Sequence, residues 1–333
     1  MGRFPTEWDD VRAAAAEVLR EQVPNAAATW LGEAGGFGSG WSYRQNRIAL
    51  EQIEFRMRYI HDVREPDLAT TVLGQDLACP VMIAPMTASL NAIHGDETLP
   101  MLGRGARAAG IATSIGHPVT EAHMVAMASE GAPIFRAVKP LKDRDELAEV
   151  IRQAKDAGCF ALAIDVDAAA GLHAQNDQPK YARFVEPLRP DELAGLIAEA
   201  ELPVLVKGVL SVPDAEAAVE AGAEGVIVSN HGGHAFDYCP SSIEALPTIV
   251  EAVGDEAEIW FDSGVRRGTD ILKALALGAK AVLIGRLAIW GLALGGADGV
   301  AHVVDLLQAE LRRSMILTGV SSVEDVSSEI LAP

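Results

Sequence analysis

Cysteine is scarce in this 333-residue chain: Cys79, Cys159 and Cys239 stand far apart, and their number is odd. No CxxC and no Cys/His cluster with metal-ligand spacing occurs. Neither a disulfide framework nor a zinc module is expected, and no metal is assigned. Basic residues are also in short supply. Lys and Arg number 27 against 47 Asp and Glu, a formal net charge of −20 that repels a polyanion and argues against nucleic acid as a partner. No apolar run approaches the ~20 residues of a membrane span. The segment MGRFPTEWDD has no apolar stretch after Arg3, so no secretory signal is expected. These absences leave a cytoplasmic protein with reduced thiols, acting on a small molecule, as the expectation.

What the chain has in abundance is strand–helix alternation. Beyond residue 80, short apolar runs read as strands at Val81–Ala84, Ile111–Ile115, Ile134–Val138, Ala161–Val166, Val204–Lys207, Gly225–Val228, Ile259–Phe261 and Ala281–Ile284. Amphipathic stretches such as Asp143–Ala157, Pro190–Ala200, Val212–Ala221 and Thr269–Leu277 separate them. Alternation of this kind implies a parallel sheet. Eight such units predict an α/β fold of the (β/α)8 TIM-barrel type. The phrases DAGCFAL, EAGAEGV and ALGAKAV each carry glycine where a helix hands over to the next strand. Residues 1–75 read as a helical and irregular extension packed on the barrel, the whole chain forming one domain. The tail from Gly299 predicts one long helix, Val300–Leu317.

Chemistry in such barrels sits at the C-terminal strand ends. Here those ends hold Ala84-Pro85-Met86-Thr87, Ser114, Arg136-Ala137-Val138, Asp165-Val166-Asp167, Lys207-Gly208, Ser229-Asn230-His231, Asp262-Ser263-Gly264 and Gly285-Arg286. The last two, with Arg266, combine glycine N–H groups and arginine near helix starts, which suits a phosphate. Lys207 faces the mouth and needs an anion. Asp165 and Asp167 lie two apart, so on one strand they point the same way. With His231 they suggest a carboxylate orienting an imidazole that moves protons.

The chain resembles the FMN-dependent 2-hydroxy acid oxidases and dehydrogenases, a family that includes glycolate oxidase, lactate oxidase and mandelate dehydrogenase. The resemblance covers nearly the whole chain. It rests on Asp67-Leu68-Ala69-Thr70-Thr71-Val72-Leu73-Gly74, Ile83-Ala84-Pro85, Leu205-Val206-Lys207-Gly208, Ser229-Asn230-His231-Gly232-Gly233, the run Asp262 to Asp270, and Lys273-Ala274-Leu275-Ala276-Leu277-Gly278-Ala279. It implies FMN across the barrel mouth, with its phosphate on Gly264, Arg266, Gly285 and Arg286 and its ribityl chain on Asp262. Pro85, Met86, Thr87 and Ala88 would line the flavin edge, and Ser114 would hydrogen-bond the ring. Arg136, Asp165 and Ser229 also fall on the cofactor side. Lys207 matches a lysine beside the flavin pyrimidine, His231 the catalytic base, and Asp167 its partner. Two electrons would pass from a substrate carbon to the flavin while His231 takes a proton. The resemblance also implies a homotetramer, with oxygen or an unidentified acceptor reoxidising the flavin.

Departures from the family cluster at the substrate. His234 stands where the family has an arginine that grips the substrate carboxylate, and His173 stands where it has a second. Trp30 and Val138 replace two substrate-touching tyrosines. Histidine lacks the planar fork of arginine, so carboxylate recognition is expected to be altered. Arg136 and Asp165 replace a glutamine and a threonine on neighbouring strands. Two readings follow: they form an ion pair beside the flavin, or Arg136 becomes the new anion anchor. The loop from Ala168 to Pro190 is short and would form an open lid, with Tyr181 and Arg183 near its entrance. Oxidation of a C–OH or C–NH carbon is the leading expectation. An FMN-dependent isomerase of the type 2 isopentenyl diphosphate isomerase kind and a non-catalytic flavin-binding protein are the competing ones.

Overall fold

The structure is a computed structural model that describes residues 4–171 and 184–333. Eight parallel strands surround a central core: β1 (Val81–Ile83), β2 (Thr113–Ile115), β3 (Ile134–Val138), β4 (Ala161–Asp165), β5 (Val204–Val209), β6 (Gly225–Val228), β7 (Glu258–Phe261) and β8 (Ala281–Ile284). β8 pairs with both β7 and β1, and the bridges Met82–Ala112 and Met86–Ile115 join β1 and the loop after it to β2 and its approach. A (β/α)8 barrel results. Its outer helices are α1 (Thr98–Ala109), α2 (Glu121–Ala128), α3 (Arg144–Asp156), α4 (Pro190–Ala200), α5 (Val212–Glu220), α6 (Ser242–Val253), α7 (Gly268–Ala276) and α8 (Arg286–Thr318).

Side-chain alternation along each strand sorts the two cores. Phe135, Ala137, Ala161, Ala163, Leu205, Ile227, Trp260, Ala281 and Leu283 form the barrel interior, while Ile134, Val138, Leu162, Ile164, Val204 and Val206 face the helices. Alanines opposite the large rings make the interior fit: Phe135 meets Trp260 edge-on at 5.4 Å between centroids. A strand pair, Thr70–Val72 with Gln75–Leu77, closes the bottom. Its Val72 and Leu77 join the interior cluster, and the Leu73 N–H donates to Glu258 at 3.0 Å. The apolar interior ends at this floor, and the ionisable side chains of the cavity collect at the opposite end.

Helices Trp8–Gln22, Pro24–Trp30 and Trp41–Gln52 of the N-terminal extension pack on the barrel, and the last of them reaches the mouth. The final helix differs from the sequence expectation. It starts at Arg286, directly after β8, and breaks its helical geometry at Gly295 and Gly296 rather than starting at Val300. A low-polarity glycine pair inside one continuous run hid the first half. By length and composition alone this helix could cross a membrane, but 67% of its most apolar window is buried inside the protein, against α1 and the first N-terminal helix. All three cysteines are free. Most of the short loop expected to act as a lid, with His173, Tyr181 and Arg183, lies outside the described residues.

Candidate active site

The mouth of the barrel holds a cavity of about 470 Å³ lined from both the barrel and the N-terminal extension. Its β7–β8 wall is cationic. Arg266 and Arg286 both line it, and among the described residues neither has a carboxylate partner. Burial, and then the nearby Arg286, pushes Arg266 down to about 10, and burial lowers Arg286 as well. Two desolvated like charges held together without an anion are unfavourable unless a ligand supplies one. Their positions are fixed by carbonyls and an aromatic face. The Arg266 guanidinium donates to Val265 O at 2.6 Å, Arg286 Nε donates to Thr29 O at 3.0 Å, and the Arg286 guanidinium lies 4.7 Å from the Tyr43 ring centre.

The two loops of this wall are not equivalent. At the start of α7, the N–H groups of Arg266 and Arg267 donate to Asp270, and that of Gly268 donates to Glu310. That helix start is satisfied from within and offers only its guanidinium and the bend at Ser263 and Gly264, both at positive φ (85° and 90°). The first turn of α8 has no such side-chain cap, so its N–H groups open where Gly285 and Arg286 line the cavity. One helix terminus and two arginines fit a single phosphate.

The second feature is the turn after β6. His231 sits at φ +57°, a left-handed conformation uncommon outside glycine, which costs on the order of 1 kcal/mol. Polar contacts hold it there. His231 N–H donates to Ser229 Oγ at 3.0 Å, Gly232 N–H to Ser263 Oγ at 3.0 Å, and Gly233 N–H to Asn230 Oδ1 at 2.9 Å. Asn230 is locked in turn by a reciprocal amide pair with Asn46, each bond 2.8 Å, from the N-terminal extension. The imidazole Nδ1 lies 3.2 Å from Asp167 Oδ2. A Nδ1–H donated to that carboxylate leaves Nε2 as the basic nitrogen.

Asp167 reaches His231 by a different route from the one expected. β4 ends at Asp165, and Val166–Ala168 is a 3-10 turn, so strand alternation does not align the two aspartates. Their carboxylates and the imidazole still converge, within 4.8 Å of one another. Gly208 permits this: at φ +94°, any Cβ there would collide with the Asp167 carboxyl group.

Lys207 lies between these features. Its Nζ is 3.0 Å from Asp165 Oδ1, 3.8 Å from Asp262 Oδ2 and 3.3 Å from His231 Nδ1. Burial alone would lower its pKa, but Asp165, Asp262 and Asp167 together raise it, so it stays an ammonium. Burial works against the Asp165 carboxylate too, yet Lys207 and Lys139 hold it well below the usual range.

Of the expected residues, Trp30, Pro85, Met86, Thr87, Asp165, Lys207, His231, His234, Asp262, Gly264, Arg266, Gly285 and Arg286 line the cavity. Asp167 stands behind His231, and Ser229 supports the turn through its hydroxyl, which accepts from the His231 N–H. Ala88 opens a short 3-10 turn beside the cavity without lining it. Ser114 does not line the cavity: it is fully buried and donates to Ile83 O at 2.6 Å.

Arg136 and Val138 correct the sequence reading. They share the outward phase of Ile134, so neither lines the cavity. Arg136 donates to Gly116 O at 2.9 Å, and Asp165, on the inward phase of its own strand, pairs with lysines instead. The expected Arg136–Asp165 ion pair is absent among the described residues because the two side chains leave opposite faces of the sheet. Sequence reasoning missed Lys139 and His117, which do line the cavity. The signal for Lys139 was present: it continues the inward phase of Phe135 and Ala137 by one step.

Comparison with known proteins agrees with this geometry. The family model described as FMN-dependent dehydrogenase matches residues 19–190 and 171–333. The chain is 36% identical over 332 residues to L-lactate oxidase of Nostoc sp., covering 89% of this chain and 91% of that protein. It is 33% identical over 344 residues to glycolate oxidase 3 of Arabidopsis thaliana, covering 93% and 92% respectively. Solved mandelate oxidase, in complex with 3,3-difluoro-2-hydroxy-3-phenylpropionic acid, superposes with a TM-score of 0.86 at 33% identity and 98% coverage of both chains. A lactate oxidase of Pediococcus acidilactici gives 0.87 at 32% identity, over 96% of this chain and 93% of that one. The fold, the unneutralised arginine pair at an open helix start and these relatives converge: the chain belongs to the FMN-dependent dehydrogenase family of 2-hydroxy acid oxidases and is an FMN-dependent oxidoreductase.

Proposed function

We propose that the protein oxidises the carbinol carbon of a 2-hydroxy acid or a close C–NH analogue, with His231 as the base. The observation that carries this is the His231–Asp167 pair at the cavity wall, Nδ1 to Oδ2 3.2 Å, beside a buried ammonium. Asp167 fixes the tautomer and favours the imidazolium that forms when Nε2 accepts the substrate hydroxyl proton. The carbon loses its hydrogen together with an electron pair, and the C–O bond becomes a carbonyl. FMN, when bound, supplies the two-electron acceptor for that pair. Arg266, Arg286 and the α8 N-terminus are proposed to hold its phosphate. Lys207, a buried ammonium at the cavity wall, would supply fixed positive charge beside the bound flavin as it takes up the electron pair.

Oxygen is proposed as the final acceptor, because the relatives are named as oxidases. Recognition of the substrate carboxylate is proposed to differ from the family pattern. His234 lines the cavity, and among the described residues the arginines that do so are the two assigned to phosphate.

The test is anaerobic mixing of FMN-loaded protein with glycolate, lactate and mandelate, their amides and the matching amino acids. Loss of the yellow flavin colour, with one carbonyl product formed per flavin, is expected. A spectrum unchanged by every compound contradicts the reading. Bleaching absent alongside turnover of an isomer substrate would instead favour an isomerase.

A further inference from the structure

On the wall built by β2, β3 and β4, two polar side chains face the cavity without a role in the reading above. Lys139 directly follows β3, is 5% exposed and lines the cavity. Its nearest carboxylate oxygen is Asp165 Oδ2 at 3.6 Å, while the other Asp165 oxygen is engaged by Lys207 at 3.0 Å. One carboxylate thus faces two ammonium groups. Beyond that long contact, Lys139 has no other acceptor among the described residues, although an ammonium carries three donors. A buried cation with open donors at a cavity wall is costly unless a ligand completes its shell.

His117 follows β2, the strand paired with β3, and also lines the cavity. Its Nδ1 is buried and has no partner among the described residues. Burial, then Arg136 and Lys139, push the ring down to about 4, so it is a neutral imidazole near neutral pH. A neutral imidazole keeps one ring N–H, which it can donate to a ligand in the cavity without adding charge.

We propose that Lys139, assisted by His117, is the carboxylate-binding site for the substrate, in place of the arginine that His234 has replaced. The inference rests on the reading that this cavity oxidises a 2-hydroxy acid. A carboxylate suits the pair because one oxygen accepts from the ammonium and the other from the imidazole N–H. The phosphate wall lies on β7 and β8, so the two anions would not compete. Carboxylate selection moves from a planar guanidinium fork to a point charge on β3, which is less demanding of geometry.

The experiment measures anaerobic flavin reduction against concentration for glycolate, lactate and mandelate, each beside its amide. Wild type is compared with Lys139→Met, Lys139→Arg and His117→Asn. In Lys139→Met the half-saturating acid concentration should rise roughly 30-fold or more, since a buried charged partner is lost. The limiting reduction rate should change by less than about threefold, and the amide should be nearly unaffected. Lys139→Arg should restore most of the acid affinity, and His117→Asn should weaken the acid by roughly tenfold.

Flavin content and resting spectrum are recorded for every variant. Unchanged acid affinity in an FMN-retaining Lys139→Met overturns the proposal, as does equal weakening of acid and amide. If the Met variant does not retain FMN, an acid-to-amide preference unchanged in His117→Asn overturns it instead. Wild-type flavin that no acid bleaches marks failure of the underlying functional reading, which a Lys139 failure alone does not.

Discussion

The two walls of the cavity are built on different physics. The β7–β8 wall depends on backbone: positive-φ bends at Ser263 and Gly264, an open helix start at Gly285, and two arginines anchored on carbonyls. The β3–β4 wall depends on side-chain phase: Lys139 and Asp165 face inward only because they fall on the interior alternation of their strands. A backbone-built site leaves glycine and arginine signatures that survive small shifts in strand bounds. A phase-built site inverts with a single residue of register.

The largest expected effect strikes the first wall. Arg266→Ala and Arg286→Ala should each weaken FMN binding by roughly 2–5 kcal/mol, about 30-fold or more, and the double variant should purify colourless. Fluorescence titration with FMN checks this; a double variant that keeps stoichiometric FMN would break the comparison. On the second wall, Asp165→Asn leaves Lys207 and Lys139 buried without their shared carboxylate. Urea denaturation should show a loss of about 3–5 kcal/mol.

The same cluster has a pH signature. Asp165 is held below the usual carboxylate range, so its contribution is present above the unfolded value of about 4 and is lost as pH falls below that. Lys207 is raised, so its contribution is present below the unfolded value of about 10.4 and is lost only as pH climbs past that to its folded value. Acid unfolding should therefore be less steep in Asp165→Asn than in wild type.

Two kinetic variants separate position from contact. Gly208→Ala should push Asp167 off His231 and slow flavin reduction by roughly 100-fold with FMN content unchanged, as read by anaerobic stopped flow. Arg136→Gln should leave reduction rate and substrate affinity near wild type, because Arg136 leaves the outer face of β3. A large kinetic loss in that variant would return Arg136 to the site and undo the phase argument.

Much of the fold was readable before the structure. All eight expected strands are present, three with matching bounds: Ile134–Val138, Gly225–Val228 and Ala281–Ile284. Parallel strands buried on both faces appear as continuous apolar runs, which makes them easy to find. For the same reason they hide which face each residue takes, and that is where Arg136 and Val138 were misplaced. The placement of His231, Lys207 and the glycine–arginine loops at the mouth was legible because strand-end position alone decides their direction. The pairing of Asp167 with His231 was implied by the family resemblance, whereas the expected alignment of Asp167 with Asp165 along one strand is replaced by a 3-10 turn. Lys139 went unread because a continuous apolar strand hides its phase, and His117 because it is a lone imidazole beyond the end of β2. The clamp of Asn46 on Asn230 joins positions 184 residues apart, which no local pattern reports.

The central claim is that the turn after β6 supplies the base for oxidation at this cavity. Its most direct test is anaerobic flavin reduction of His231→Gln, compared with wild type at matched FMN content, using the 2-hydroxy acid that wild type oxidises best. The account predicts a reduction rate lower by about 10²–10⁴-fold with the resting flavin spectrum unchanged. A His231→Gln protein that bleaches at the wild-type rate would contradict it.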